Sequence, residues 1–160
     1  MADALTVPQV VAALVLCAAG LAKLRSPTTA ATALRISTGW IRAFSIYELA
    51  LGAGALVWPA LSPLLALTYA GLAALTFTLA RRAQACGCFG EGDARASRAQ
   101  SLLSLVLALV CAGPSHGAGW LLDRPPGPAA VLVLGVIAAA YGTVVAYAEI
   151  PAAWRAWSAT

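Results

Sequence analysis

The sequence predicts an all-α integral membrane protein: a helical bundle with a four-helix core plus a fifth transmembrane helix. Three observations carry this. The 160 residues are 61% hydrophobic and only 10% charged, whereas soluble domains carry about 25% charged residues. The mean hydropathy is strongly positive, at +0.85. The apolar residues fall into five runs that approach the roughly 20 needed to cross a bilayer. The net charge of +4 is no sign of a nucleic-acid partner, because the arginines sit in short segments between apolar runs and read as topology signals.

The first span is expected over 7–24. Asp3 precedes its apolar run, Lys23 and Arg25 follow it, and no small-x-small cleavage site lies between run and charges. This reads as an uncleaved helix rather than a signal peptide. A polar linker over 25–39 follows, with Ser26-Pro27 as a breaker and Arg35 near its middle. The second span is expected over 41–57, then a chargeless turn at Trp58-Pro59 and Pro63, then a third span over 64–80 closed by Arg81-Arg82. A polar loop over 83–97 leads to a fourth span over 98–112. A loop rich in Pro and Gly, with Trp120 suited to an interface, leads to the fifth over 129–147, and Trp154 and Trp157 read as interfacial anchors. Gly52, Gly54, Gly71 and many alanines would let helices approach closely. No soluble domain or repeat is evident, and the chain reads as a single transmembrane domain.

Five spans put the linker after span one, the loop over 83–97 and the C-terminus on one face. Nine of the ten basic residues lie on that face, and Arg124 alone lies on the other. The positive-inside rule assigns the basic face to the cytoplasm.

The chemistry concentrates in that loop, at Cys86-Gly87-Cys88-Phe89-Gly90. Two thiols separated by one glycine can close a small ring, since glycine relaxes the backbone restriction. Strain in such a ring makes the disulfide easier to reduce, which suits a redox relay better than a staple. Arg81, Arg82 and Arg95 lie near enough in sequence to favour the reactive thiolate. The alternatives are an inert pair, or metal binding, for which zinc usually wants four nitrogen or sulfur ligands.

Glu48 lies inside the second span, where a carboxylate marks a functional site by default. Counting at 1.5 Å per residue places it roughly 10 Å below the basic face, with Cys17 at a similar depth. Lys23, nearer that face, could reach Glu48 by snorkelling. The pair reads equally as a proton-handling site and as a clamp between two helices. Cys111 falls roughly 10 Å deeper than Cys17, so a Cys17–Cys111 bridge is not expected, and Cys111 reads as a small hydrophobe. His116 reads as a solvated or interfacial loop residue. Tyr47, Tyr69, Tyr141 and Tyr147 read as packing aromatics, with lining of a quinone pocket as the alternative.

Ala22-Lys23-Leu24, Glu48-Leu49 with Gly52, Phe77-Thr78 with Arg81, the Cys-Gly-Cys-Phe-Gly string and Arg98 together resemble the MauE family of the DoxX-like superfamily, over about the first 110 residues. The Cys-Gly-Cys-Phe-Gly string is the most specific of these matches. The resemblance implies a four-helix membrane bundle in a bacterial cell membrane, serving the maturation of extracytoplasmic proteins beside a thioredoxin-like partner. Together with the loop chemistry it points to Cys86 and Cys88 as the exchanging thiols, with Glu48 and Lys23 beneath them and Arg81 and Arg98 as auxiliaries; Cys17 joins the auxiliaries from its depth in the first span. A membrane quinone is a candidate electron sink, though no motif specifies one. The resemblance favours thiols outside the cytoplasm, in a VKOR-like arrangement, against the arginine distribution. A non-catalytic subunit of a membrane complex and a soft-metal carrier with Cys17 as an in-membrane station are the other functional readings.

Overall fold

The computed structural model describes residues 2–82, 84, 96–114, 116, 118–123 and 125–158. The chain runs α1 (Ala2–Arg25), α2 (Pro27–Leu34), α3 (Thr38–Val57), a 3-10 turn (Pro59–Leu61), α4 (Ser62–Arg81), α5 (Arg98–Cys111), α6 (Gly119–Leu122) and α7 (Pro126–Ser158). No strand occurs among the described residues. The stretches Leu5–Arg25, Thr38–Val57, Pro59–Arg81 and Pro126–Tyr147 are each long and apolar enough to cross a membrane. Helix α5 has 14 residues, about 21 Å of rise against a hydrocarbon core of about 30 Å. It matches the expected fourth span over 98–112 to within one residue, and is shorter than a full crossing. Its polar ends are served by protein: Ser97 and Gln100 form a reciprocal capping box at its start. At its end the Gln9 amide of α1 donates to the carbonyls of Val110 (2.9 Å) and Gly113 (2.7 Å).

The expected linker over 25–39 is largely helical. Pro27 occupies the first turn of α2, where its missing N–H costs nothing and its fixed φ favours a helix, so it starts a helix as well as ending the one before. Ala30, Ala31 and Leu34 then pack on Ile41 of α3. Arg35 closes α2 in a left-handed conformation, with φ 55° and its N–H turned back to the carbonyls of Ala31 and Thr32. Ser37 caps α3 through the Trp40 N–H.

Helix α1 is the centre of the bundle. It packs on α3, α5 and α7, while α4 packs chiefly on α5, and α3 and α4 scarcely meet although they are sequence neighbours. The surface is inverted relative to a soluble protein. Leu67, Leu102, Leu109, Val131 and Leu134 are exposed, whereas Thr6, Gln9, Lys23, Ser45, Glu48, Ser62, Thr76, Gln100 and Ser104 are buried. Lipid solvates leucine as well as a core does, and it leaves buried polar groups to be paired within the protein. Trp40 at the start of α3 and Trp58 at its end are both exposed, as aromatic belts at two interfaces require. Trp120, expected at an interface, is half-buried against the bundle, its ring stacked on His116 with centroids 6.3 Å apart.

The fifth helix is peripheral, as expected. It runs on to Ser158, well past the expected end at 147, and its apolar stretch is mostly exposed. It packs chiefly on α1 and is tied to α5 at Tyr147, and the sequence four residues on explains that tie. A proline four residues on removes the N–H that the Tyr147 carbonyl would otherwise accept from. The Gln100 amide of α5 supplies the missing donor at 2.8 Å, and the Tyr147 hydroxyl is hydrogen-bonded to Ser104 one turn along α5, also at 2.8 Å. Gln100→Leu is expected to destabilise the protein by about 1 kcal/mol. The loss should appear as early protection loss in α7 by hydrogen exchange, with α1 and α3 unaffected.

Candidate functional site

Helices α1 and α3 meet at glycines. A Cβ on Gly20 of α1 would stand 2.8 Å from the Ser45 carbonyl and 3.2 Å from Glu48 Cβ. One on Gly52 of α3 would stand 2.5 Å from Cys17 Sγ and 2.8 Å from the Ala13 carbonyl. The absence of side chains at these two points lets the backbones close up, which brings Lys23 onto Glu48. Lys23 Nζ donates to both carboxylate oxygens, at 2.6 and 2.7 Å, and the two side chains are 5% and 0% exposed. The Phe44 ring lies 5.3 Å from the ammonium, within cation–π range. Ser45, beside the pair, spends its hydroxyl on the Ile41 carbonyl.

Sequence counting thus brought the right partners together. Cys17 lies about one turn deeper than Glu48 rather than level with it, beside Gly52 and with Sγ 3.9 Å from the Leu49 carbonyl. Cys17 and Cys111 are both free thiols, and Cys111 is fully buried. Arg81 ends α4 with its guanidinium 4.8 Å from the Phe77 ring centroid, and Arg98 opens α5 in an exposed position. Cys86, Cys88 and Arg95 lie outside the described residues. Gln84 and Ala96, which flank them in sequence, are described. The Ala96 N–H donates to the Gln84 carbonyl at 2.9 Å, and the Gln84 N–H donates to the Leu79 carbonyl at 3.0 Å. Ala96 and Leu79 pack with Leu34 of α2. Gln84 and Ala96 therefore lie side by side, at the same end of the bundle as Lys23.

The tyrosines divide. Tyr69 and Tyr147 line a small, mostly apolar cleft of about 30 Å³ with Leu16, Lys23, Leu72 and Thr76, far below the roughly 300 Å³ of a ligand pocket. Tyr47 faces a lipid-side groove of about 360 Å³ between α3 and α4, lined also by Phe44, Thr68, Gly71 and Leu75. There its hydroxyl is paired with Thr68 Oγ1 at 2.8 Å. Tyr141 is exposed. No cluster of three or more His, Cys, Asp or Glu occurs among the described residues.

Sequence reasoning missed Gln9, Thr76, Gln100 and Ser104. A usable signal existed for the last two. Gln100, Ser104, Leu107, Ala108 and Cys111 are the buried residues of α5, spaced at three and four as one helix face requires.

Inverted polarity, spanning helices and a buried ion pair define a multi-pass helical membrane protein. No family model, curated protein or solved structure matches the chain.

Proposed function

We propose that this protein is a thiol–disulfide relay of a bacterial cell membrane, exchanging electrons or disulfides between Cys86 and Cys88 and a thioredoxin-like partner. The observation that carries the reading is the hydrogen bond between Gln84 and Ala96, which flank the Cys-Gly-Cys sequence, at the bundle end where Lys23 and Glu48 are paired. In one direction, a thiolate of the pair attacks the partner's disulfide and forms a mixed disulfide, displacing one partner thiolate, which takes up a proton. The second cysteine loses its proton and attacks the mixed disulfide. That step closes the Cys86–Cys88 bond and releases the partner as a dithiol. Two electrons and two protons pass to the partner, and the reverse sequence oxidises it. Lys23 and Glu48 tune or shuttle protons beneath the thiols. The groove beside Tyr47 has the size for a quinone ring as a terminal acceptor.

A second reading, a non-catalytic subunit of a membrane complex, draws on the same ion pair, because a two-bond clamp across the α1–α3 seam also serves a scaffold. Thiol trapping separates the two. Cys86→Ser is expected to accumulate a mixed disulfide through Cys88, seen on non-reducing gels and absent from the Cys86→Ser/Cys88→Ser double variant. Mass spectrometry of the wild type should show the pair switching between dithiol and disulfide after dithiothreitol and after diamide. No adduct together with no redox change sinks the relay.

A further inference from the structure

The register of α4 against α5 is fixed at two points. Ser101 Oγ donates to the Ala73 carbonyl at 2.8 Å, and Leu79 packs on Ala96. The two helices therefore run antiparallel. Phe77 stands one turn from Ala73 toward the basic end, and Arg98 stands one turn from Ser101 in the same direction. Counted along the axes these steps are about 6 and 4.5 Å. Phe77 and Arg98 are thus side by side on neighbouring helices at one depth, on backbones about 8–10 Å apart. Both are exposed. Arg81 leans back along α4 and sets its guanidinium 4.8 Å from the Phe77 ring centroid. Its charge therefore reaches the depth of Arg98, one turn inside the end of α4. Among the described residues neither arginine is ion-paired, and the ion pair formed there is Lys23–Glu48. The surface below them is apolar: Leu102, one turn on from Arg98, and Leu105 are both exposed. Two cations at the edge of a lipid-facing surface call for an anion that itself resides at the hydrocarbon boundary.

We propose that the outer α4–α5 seam is a binding site for an anionic phospholipid. Its phosphodiester accepts hydrogen bonds from the guanidinium groups of Arg81 and Arg98, whose planar forks match phosphate oxygens. An acyl chain lies along Phe77, Leu102 and Leu105. The site selects headgroups with a net negative charge, because the ammonium of a zwitterionic headgroup would be brought in among two cations. The bound lipid ties the end of α4 to the start of α5, the two helices between which the Cys-Gly-Cys sequence lies. The site rests on the α4–α5 register alone and holds whether or not the loop thiols exchange disulfides.

The test titrates the purified protein in detergent with dioleoyl phosphatidylglycerol, with dioleoyl phosphatidylcholine and with glycerol 3-phosphate, and counts bound molecules by native mass spectrometry. Phosphatidylglycerol should bind several-fold more tightly than phosphatidylcholine, which carries the same chains. Glycerol 3-phosphate, which has the charge without the chains, should not displace it at equal concentration. Arg81→Gln/Arg98→Gln should lower the preference several-fold, and Phe77→Leu, which frees Arg81 from its ring, should lower it in part. Arg25→Gln/Arg42→Gln removes two exposed arginines of α1 and α3 and should leave the preference unchanged. Equal affinity of the wild type for the two lipids overturns the proposal without any variant. Equal losses from the two double variants overturn it as well, because the overall charge of the basic end would then attract the lipid. Displacement by glycerol 3-phosphate would make this a site for free anions. A preference that appears only in Glu91→Gln/Asp93→Asn would mean that those carboxylates occupy the arginines. Either result removes the lipid as the occupant.

Discussion

Lys23→Met is expected to be the most damaging single substitution in the bundle, costing about 3–5 kcal/mol. It removes both hydrogen bonds to Glu48 and leaves a fully buried carboxylate with no counter-charge. Glu48 cannot escape, because it lies ten residues into α3 from Thr38 and its side chain is short. The opposite deletion should be milder. Lys23 is in the last turn of α1, and in Glu48→Leu its long side chain can turn toward the interface. The double variant Lys23→Met/Glu48→Leu should recover most of the loss, since an apolar pair of similar volume replaces a buried ion pair at little or no net cost. Unfolding midpoints of the four proteins in one detergent give the cycle. Equal damage from both single variants, with no recovery in the double, contradicts this account of the pair.

The second large effect is expected at the glycine seam. Gly52→Ala places a methyl group 2.5 Å from Cys17 Sγ and 2.8 Å from the Ala13 carbonyl. The helices must separate, at a cost of about 1–3 kcal/mol. Adding Cys17→Ala should restore only part of this, because the carbonyl contact involves backbone and stays. Gly71→Ala is the control: nothing lies within 4 Å of its added Cβ, so its unfolding midpoint should be no lower than the wild type's. A Gly52→Ala protein as stable as Gly71→Ala would remove close backbone approach as the reason for glycine there.

The ion pair was legible in the sequence because depth along a helix can be counted. Lys23 and Glu48 each interrupt an apolar run, and the rise per residue puts them in reach once the spans are drawn. The spans themselves were legible for the same reason, since apolar runs of that length have few other uses. Helix α2 was not, because Ser26-Pro27 signals an end and a beginning with the same residues. The docking of α7 was hidden more deeply. Proline at 151 shows that the Tyr147 carbonyl loses a partner, but nothing local to α7 says that Gln100, forty-seven residues earlier, provides the replacement. Gln9 is silent in the sequence, because a glutamine in an apolar run declares no target. Its target, the end of α5, exists only once α1 lies at the middle of the bundle. Centrality follows from which faces pair, and the hydropathy of α1 differs little from that of α7.

That central position has a consequence for biosynthesis. Helix α1 leaves the ribosome before every helix it will touch. Gln9 and Lys23 therefore enter the bilayer with none of their partners yet made. Lys23 can wait with its ammonium turned to the interface until α3 delivers Glu48. Gln9 must wait longer, for the end of α5, and the α5–α7 junction closes only when Tyr147 arrives last. The order of synthesis makes α1 a post around which the later helices assemble. A chain stalled after α4 should therefore hold a formed Lys23–Glu48 pair and an amide at Gln9 still seeking its carbonyls.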